Sequence, residues 1–202
     1  MRVLLHICCG PCAIMPVRRL LDEGCEVEGF FYNPNIHPLA EYLRRREGAA
    51  AVAEKYGLRM HWALEDGDYD TAAWLGRITA SGAGLNARER CPLCWSGRLG
   101  RTFALAEREG FDAVTSSLLY SRRQRHDEIA ALGRALAQKH AGAGGPLFLY
   151  RDFRPDWQRG IEVSKEWGVY RQQYCGCIFS ENDRYARALQ KADTALCTAG
   201  RA

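Results

Sequence analysis

The chain has 202 residues, 47% of them apolar and 26% charged, with a formal net charge of +4. That is enough apolar material for a core without cross-links, which excludes the class of small secreted domains stapled by disulfides. No run approaches the roughly 18 apolar residues of a membrane span, no leader segment is expected, and the charge is mild for a protein held to nucleic acid by electrostatics alone. A cytoplasmic protein with reduced thiols and no membrane partner is the expectation.

Arg2–Ile7 is a short apolar run rich in strand formers and reads as a buried parallel strand. Gly10 and Pro11 break it, and Ala13–Glu23 then carries helical spacing through Ile14, Val17, Leu20 and Leu21. Glu26–Tyr32 reads as a second strand, stopped by Asn33-Pro34-Asn35. Residues 38–56 form an amphipathic helix and Leu58–Leu64 a third strand. The stretch 65–89 is the least regular, with one short helix near 69–79. A helix is expected over Cys91–Glu109, with its cysteine pair at the start, followed by a fourth strand over Phe111–Ser116 and a helix over Gln124–His140. Leu147–Tyr150 reads as a fifth strand, residues 154–191 as helix and loop, and 192–202 as a frayed tail. This alternation predicts an α/β fold: a Rossmann-like open parallel sheet of about five strands with a helical C-terminal region. No linker divides it, so residues 1–202 read as a single domain.

Seven of the nine cysteines fall into three groups: Cys8-Cys9-Gly10-Pro11-Cys12, Cys91-Pro92-Leu93-Cys94 and Cys175-Gly176-Cys177. Cys25 and Cys197 stand alone and read as structural. Grouped thiolates in a reducing compartment share a metal, share an iron–sulfur cluster, or work as a dithiol and disulfide. Cys8 and Cys9 are adjacent, so on an extended backbone they are expected to diverge and face different partners. Cys12, one helical turn on, can point back to the same place. The C-x-x-C spacing of Cys91 and Cys94 brings two sulfurs to one centre, and a helix start there would favour thiolate. Glycine between Cys175 and Cys177 permits unusual backbone angles, which suits a metal-ligand pair or a strained, reducible disulfide. A zinc ribbon would need a second C-x-x-C pair, and seven thiolates exceed one tetrahedral zinc. The residues by themselves lead to a cysteine-rich redox metalloprotein. A zinc-binding RNA or protein interaction module and a metal-free thiol–disulfide oxidoreductase remain open beside it.

The three groups do not stand by themselves. Leu4-Leu5-His6-Ile7-Cys8-Cys9-Gly10-Pro11-Cys12, Phe31-Tyr32-Asn33-Pro34-Asn35-Ile36-His37-Pro38 and Arg90-Cys91-Pro92-Leu93-Cys94-Trp95 are followed by Thr115–Ser121, Gln124-Arg125-His126-Asp127 and Tyr170–Cys177. In this order, over about residues 2–190, they resemble the cobalamin-independent epoxyqueuosine reductases, the QueH family. The resemblance implies a fold like the adenine-nucleotide α-hydrolases. Cys8-Cys9-Gly10 stands where nucleotide-using relatives of that fold carry a Ser-Gly-Gly phosphate loop, so ATP use is not expected. It also implies a tRNA substrate with epoxyqueuosine at the wobble position of the anticodon, reduced to queuosine by a 4Fe–4S cluster with an adjacent, second iron ion.

On that resemblance, Cys91, Cys94 and at least one of Cys8 and Cys9 are expected to hold the cluster. The remaining first-group thiolates, with Cys12, are expected to hold the second iron. Cys12 is the less secure ligand, because a carboxylate can take its place in the family. Cys175 and Cys177 are further ligands or a redox pair. Removing the epoxide oxygen as water needs two electrons and two protons. The electrons must come through a redox cofactor from an unidentified donor. His126, Asp127 and His37 are the candidate proton donors. Arg122, Arg123 and Arg125 form a cationic run suited to RNA phosphates, with Arg44-Arg45-Arg46 as a second run. Tyr120, Trp95 and Tyr150 are candidates to stack on an exposed base.

Overall fold

A computed structural model describes residues 1–63, 69–80 and 86–199. The strands are β1 (Arg2–His6), β2 (Glu26–Phe31), β3 (Arg59–Trp62), β4 (Ala113–Ser116) and β5 (Leu147–Phe148). The α-helices are α1 (Gly10–Asp22), α2 (Leu39–Tyr56), α3 (Thr71–Ala80), α4 (Ala87–Arg108), α5 (His126–His140), α6 (Trp157–Glu166) and α7 (Ile178–Ala199).

All strand pairs are parallel, and the sheet order is β3-β2-β1-β4-β5. The Rossmann-like sheet of five strands read from the sequence is therefore the observed one. Parallel strands buried on both faces need apolar residues throughout, and Val3, Leu4 and Leu5 are fully buried. Val3 and Leu5 pack with Ala13, Ile14 and Val17 of α1, whereas Leu4 points the other way, onto Phe103 of α4 and Phe30 and Val114 of its neighbours. Helix α1 lies against α2 and α6, and α4 against α5. Gly10 makes the α1–α2 approach possible, because a Cβ there would collide with the Gly48 carbonyl.

Strand order reverses between β1 and β4. The loops after these two strands leave in opposite directions, opening a crevice at the carboxyl edge of the sheet. The first cysteine group follows β1 there, and a short 3-10 turn over Ser117–Tyr120 follows β4.

Several local expectations change. Gly10 and Pro11 start α1 rather than interrupt the chain: Cys9 is the N-cap, and Pro11 needs no N–H donor in the first turn. Helix α4 starts at Ala87, not at Cys91. Asn86 supplies its cap by accepting from the amides of Arg88 and Glu89 at 2.9 and 3.2 Å. Strand β5 is shorter than read, and α7 extends to Ala199 where a frayed tail was expected from residue 192. Leu64 at the end of the expected third strand, and the side chain of Cys197, lie outside the described residues.

Candidate metal centre

The chain bends at Cys8, Cys9 is extended, and Gly10 enters α1. That bend defeats the divergence expected of adjacent residues. The Cys8 and Cys9 sulfurs stand 3.8 Å apart, and those of Cys8, Cys9 and Cys12 all lie within 4.8 Å of one another. Around one ion with metal–sulfur bonds of about 2.3 Å, tetrahedral thiolates stand about 3.8 Å apart. The three sulfurs therefore have the spacing to share an ion.

The turn after β4 and the segment after α6 close round this group. Ser117 Oγ accepts from the Cys8 amide at 2.9 Å and donates to its sulfur at 3.2 Å. Gln172 Nε2 donates to Cys9 Sγ at 2.9 Å and lies 3.6 Å from Cys12 Sγ. Hydrogen bonds from the Cys12 and Cys9 thiols hold Cys8 well below the ordinary thiol value against its burial, with help from the Arg98 charge and Ser117. Burial pushes Cys9 up, and its two sulfur neighbours push Cys12 up. The most acidic thiol of the trio, Cys8, thus lies just before the N-terminus of α1. The helix-start effect expected for Cys91 and Cys94 belongs to this group instead.

Cys91 and Cys94 lie in the second turn of α4. Burial lifts Cys91 to about 11, helped by the charges of Cys175 and Cys94, and burial also raises Cys94. Pro92 sits inside this helix and cannot donate to the Arg88 carbonyl one turn back. Arg125 takes the place of the missing donor: its Nη2 bonds the carbonyls of Arg88 and Ala87 at 3.1 and 3.2 Å, while its guanidinium lies 4.9 Å from the centre of the Trp95 ring. Arg125 thus buttresses the C-x-x-C turn, and Trp95 is core.

Cys175 and Cys177 are free thiols with sulfurs 3.8 Å apart, so the structure gives no support to a disulfide between them. Hydrogen bonds with Cys177 and Ser180 bring Cys175 down to about 5 against its burial, and Cys177 is pushed up in return. Gly176 has φ of 116°, a conformation only glycine adopts freely, and a Cβ there would meet Ile36 and Arg45. Arg45 is not part of a solvated cationic run. It is buried, paired with Glu41 at 2.7 Å, and donates to the carbonyls of Cys175 and Tyr174 at 3.0 Å each.

One cavity of about 520 Å³ joins the first and third groups, lined by Cys8, Cys12, Arg98, Tyr120, Trp157 and Cys175 among others; Cys91 and Cys94 do not line it. Arg98 lines this cavity with Cys8 and Cys175, sits one helical turn after Cys94 on α4, and acts electrostatically on all three. Tyr120 is buried, stacks on Trp157 at 5.2 Å and donates to its carbonyl at 3.1 Å. Arg123 lies on the rim, joined by two arginines the sequence reading passed over, Arg171 and Arg184; all three are exposed. Arg122 is exposed beside them but does not line the cavity.

The proton-donor candidates lie elsewhere. His126 is buried and bonded to the Tyr150 hydroxyl at 3.0 Å, and Asp127 is exposed in the first turn of α5. His37 touches the third cysteine loop through its backbone: its amide donates to Gly176 O at 2.8 Å, and its carbonyl accepts from Tyr174 at 2.6 Å. None of the three lines the cavity. Gln172 and Ser117, in contrast, touch the sulfurs directly. Both lie inside stretches conspicuous in the sequence, but an amide and a hydroxyl carry no signal of their own among so many cysteines.

Residues 3–183 match the family model described as epoxyqueuosine reductase QueH. The chain belongs to the QueH family. The family's curated members include an epoxyqueuosine reductase QueH of Dehalococcoides mccartyi, 32% identical over 186 residues that cover 92% of this chain and 96% of the relative. The QueH of Thermotoga maritima is 35% identical over 90% of this chain and 91% of its own length. That of Haemophilus influenzae is 35% identical over 90% of this chain and 72% of its own. The match to the family runs through all three cysteine groups.

Proposed function

We propose that this chain reduces epoxyqueuosine to queuosine at the wobble position of tRNA, with electrons from an external donor. The observation that carries the reading is the cavity at the β1–β4 crevice, which sulfurs from both ends of the chain, Cys8 and Cys175, line beside the buried Arg98. Membership of a family described as epoxyqueuosine reductase supports the reaction.

The donor set fits iron. Soft thiolates select iron–sulfur clusters and related metals, and the first trio has single-ion spacing. Cys91 and Cys94, with one of Cys8 and Cys9, would hold a 4Fe–4S cluster. The other first-group thiolates, including Cys12, would hold the second iron, with Cys175 and Cys177 as further ligands or a dithiol. When bound, these groups supply the electrons and a Lewis acid for the epoxide oxygen.

The chain's own residues do the rest. Ser117 and Gln172 fix the first trio through hydrogen bonds to sulfur. The stacked Tyr120 and Trp157 give one flat wall for a modified base. A cavity of about 520 Å³ suits a single nucleoside, so the base must leave its stack to enter. Arg122, Arg123, Arg171 and Arg184 are placed to hold phosphates of the flanking nucleotides.

The test is anaerobic iron reconstitution, then mass spectrometry of nucleosides from tRNA bearing epoxyqueuosine after incubation with a chemical reductant. Loss of one oxygen from the modified nucleoside is expected. An unchanged nucleoside with iron-loaded protein would overturn the proposal.

A further inference from the structure

Arg98 is 5% exposed. Its Nη2 donates to Asn33 Oδ1 at 2.6 Å, and Asn33 is itself tied to the Ile7 carbonyl through Nδ2 at 2.9 Å. Its Nε is buried without a partner, and among the described residues no carboxylate forms an ion pair with it. This is a buried charge that no carboxylate among the described residues balances, and thiols lie near enough to feel it. Neighbouring arginines are handled otherwise: Arg45 is paired with Glu41 at 2.7 Å and Arg90 with Asp183 at 2.7 Å. Thiols from each cysteine group lie within reach of the charge of Arg98. Cys94 lies one helical turn before it on α4, and its charge acts on Cys8, Cys94 and Cys175, one cysteine from each group.

We infer that Arg98 is a positioning residue, the fixed counter-charge for an anionic group that the three cysteine segments hold in common. The inference rests on the cofactor reading above and adds to it a residue that no ligand assignment requires. Thiolates ligating iron leave the group with net negative charge, and gaining an electron makes it more negative. A cation held beside it in a low-dielectric wall therefore favours both uptake of the group and its reduction. The Asn33 bond fixes the guanidinium, so no reorganisation is needed when the electron arrives.

The inference predicts effects of opposite sign with and without iron. Arg98→Met keeps the apolar stem and deletes the charge. In the metal-free protein this removes a buried cation that has no carboxylate partner, and the melting temperature should rise by about 3 °C. In the iron-loaded protein the same change should lower iron and labile sulfide per chain. It should also shift the reduction potential down by at least the equivalent of a tenfold change in a one-electron equilibrium, about 59 mV. Arg98→Lys should restore most of the potential and should not raise the metal-free melting temperature. If Arg98→Met does not fold, Arg98→Gln compared with Arg98→Lys gives the same readings. The measurements are redox titration followed by electron paramagnetic resonance, metal and sulfide analysis, and thermal melts of both forms. A loaded wild type whose potential matches that of the neutral variants, or a metal-free protein destabilised by loss of the charge, would overturn the role of Arg98 while leaving the cofactor reading intact. Wild-type protein that takes up no iron overturns both.

Discussion

The two ends of the sheet treat buried charge in opposite ways. Toward the amino ends of the strands, the Glu28 carboxylate is buried but met by His61 at 2.7 Å, Arg2 at 3.1 Å and Arg59 at 3.6 Å. At the carboxyl ends, Arg98 is as deeply buried and is met by an amide and by thiols. Both charges cost free energy to bury. Only the first is satisfied within the chain, as a structural group should be. The second is left for something the cavity holds, and a charge the fold does not satisfy is a better pointer to a site than a satisfied one.

The sharpest way to break this contrast is at the sulfurs. Replacing Cys91 and Cys94 together with serine should strip most of the iron and labile sulfide from reconstituted protein. Full retention in the double variant would remove α4 from the centre. Next in size is the buttress of the third group. Arg45→Met leaves Glu41 buried beside Tyr170 with its cation gone. Chemical denaturation should show a loss of about 3–5 kcal/mol, and the Cys175–Cys177 loop should become protease-sensitive.

Gln172→Leu removes the hydrogen bond to Cys9 and leaves every sulfur in place. Iron affinity should fall about 10- to 100-fold, as for other partners that orient a ligand. Competition with a chelator would measure it; unchanged affinity would make Gln172 a bystander. The smallest effect belongs to the satisfied end. Glu28→Gln should cost about 1–2 kcal/mol and leave iron content unchanged. Burial pulls the Glu28 carboxyl up, but the bonds from His61 and Arg2 and the Arg59 charge outweigh it and hold it below the ordinary carboxylate value. Its folded value being depressed, its contribution is present above about pH 4.3 and lost as pH falls through the folded value. Stability measured against pH should therefore fall less steeply on the acid side for the variant than for wild type.

The sheet was legible because periodicity and burial agree: the run at β1 is apolar throughout, and the observed strand is buried on both faces. The grouping of the cysteines was legible too, since clustered thiols in a chain with an ample core have few structural uses. Helix starts were misjudged at both Gly10-Pro11 and Cys91-Pro92. Pro11 reads as a break and Pro92 as a first-turn residue, whereas α1 takes Pro11 in its first turn and α4 tolerates Pro92 in its interior because Arg125 bonds the orphaned carbonyl. That exchange also explains why Arg125 buttresses a helix although its neighbours Arg122 and Arg123 are exposed. Arg45 was misread for a related reason: in a run of three arginines, only the helix phase relative to the Cys175 loop decides which one is buried. Gln172 and Arg98 matter through contacts across 163 and 65 positions of chain, to Cys9 and Asn33, and no local pattern encodes such contacts.

The most direct test is the iron and acid-labile sulfide content of anaerobically reconstituted protein. Thiolates from three segments holding a 4Fe–4S cluster and one further ion predict about five irons to four sulfides per chain, with the extra iron lost first when Cys12 is replaced by serine. Iron without sulfide, zinc in its place, or no metal at all would contradict the account.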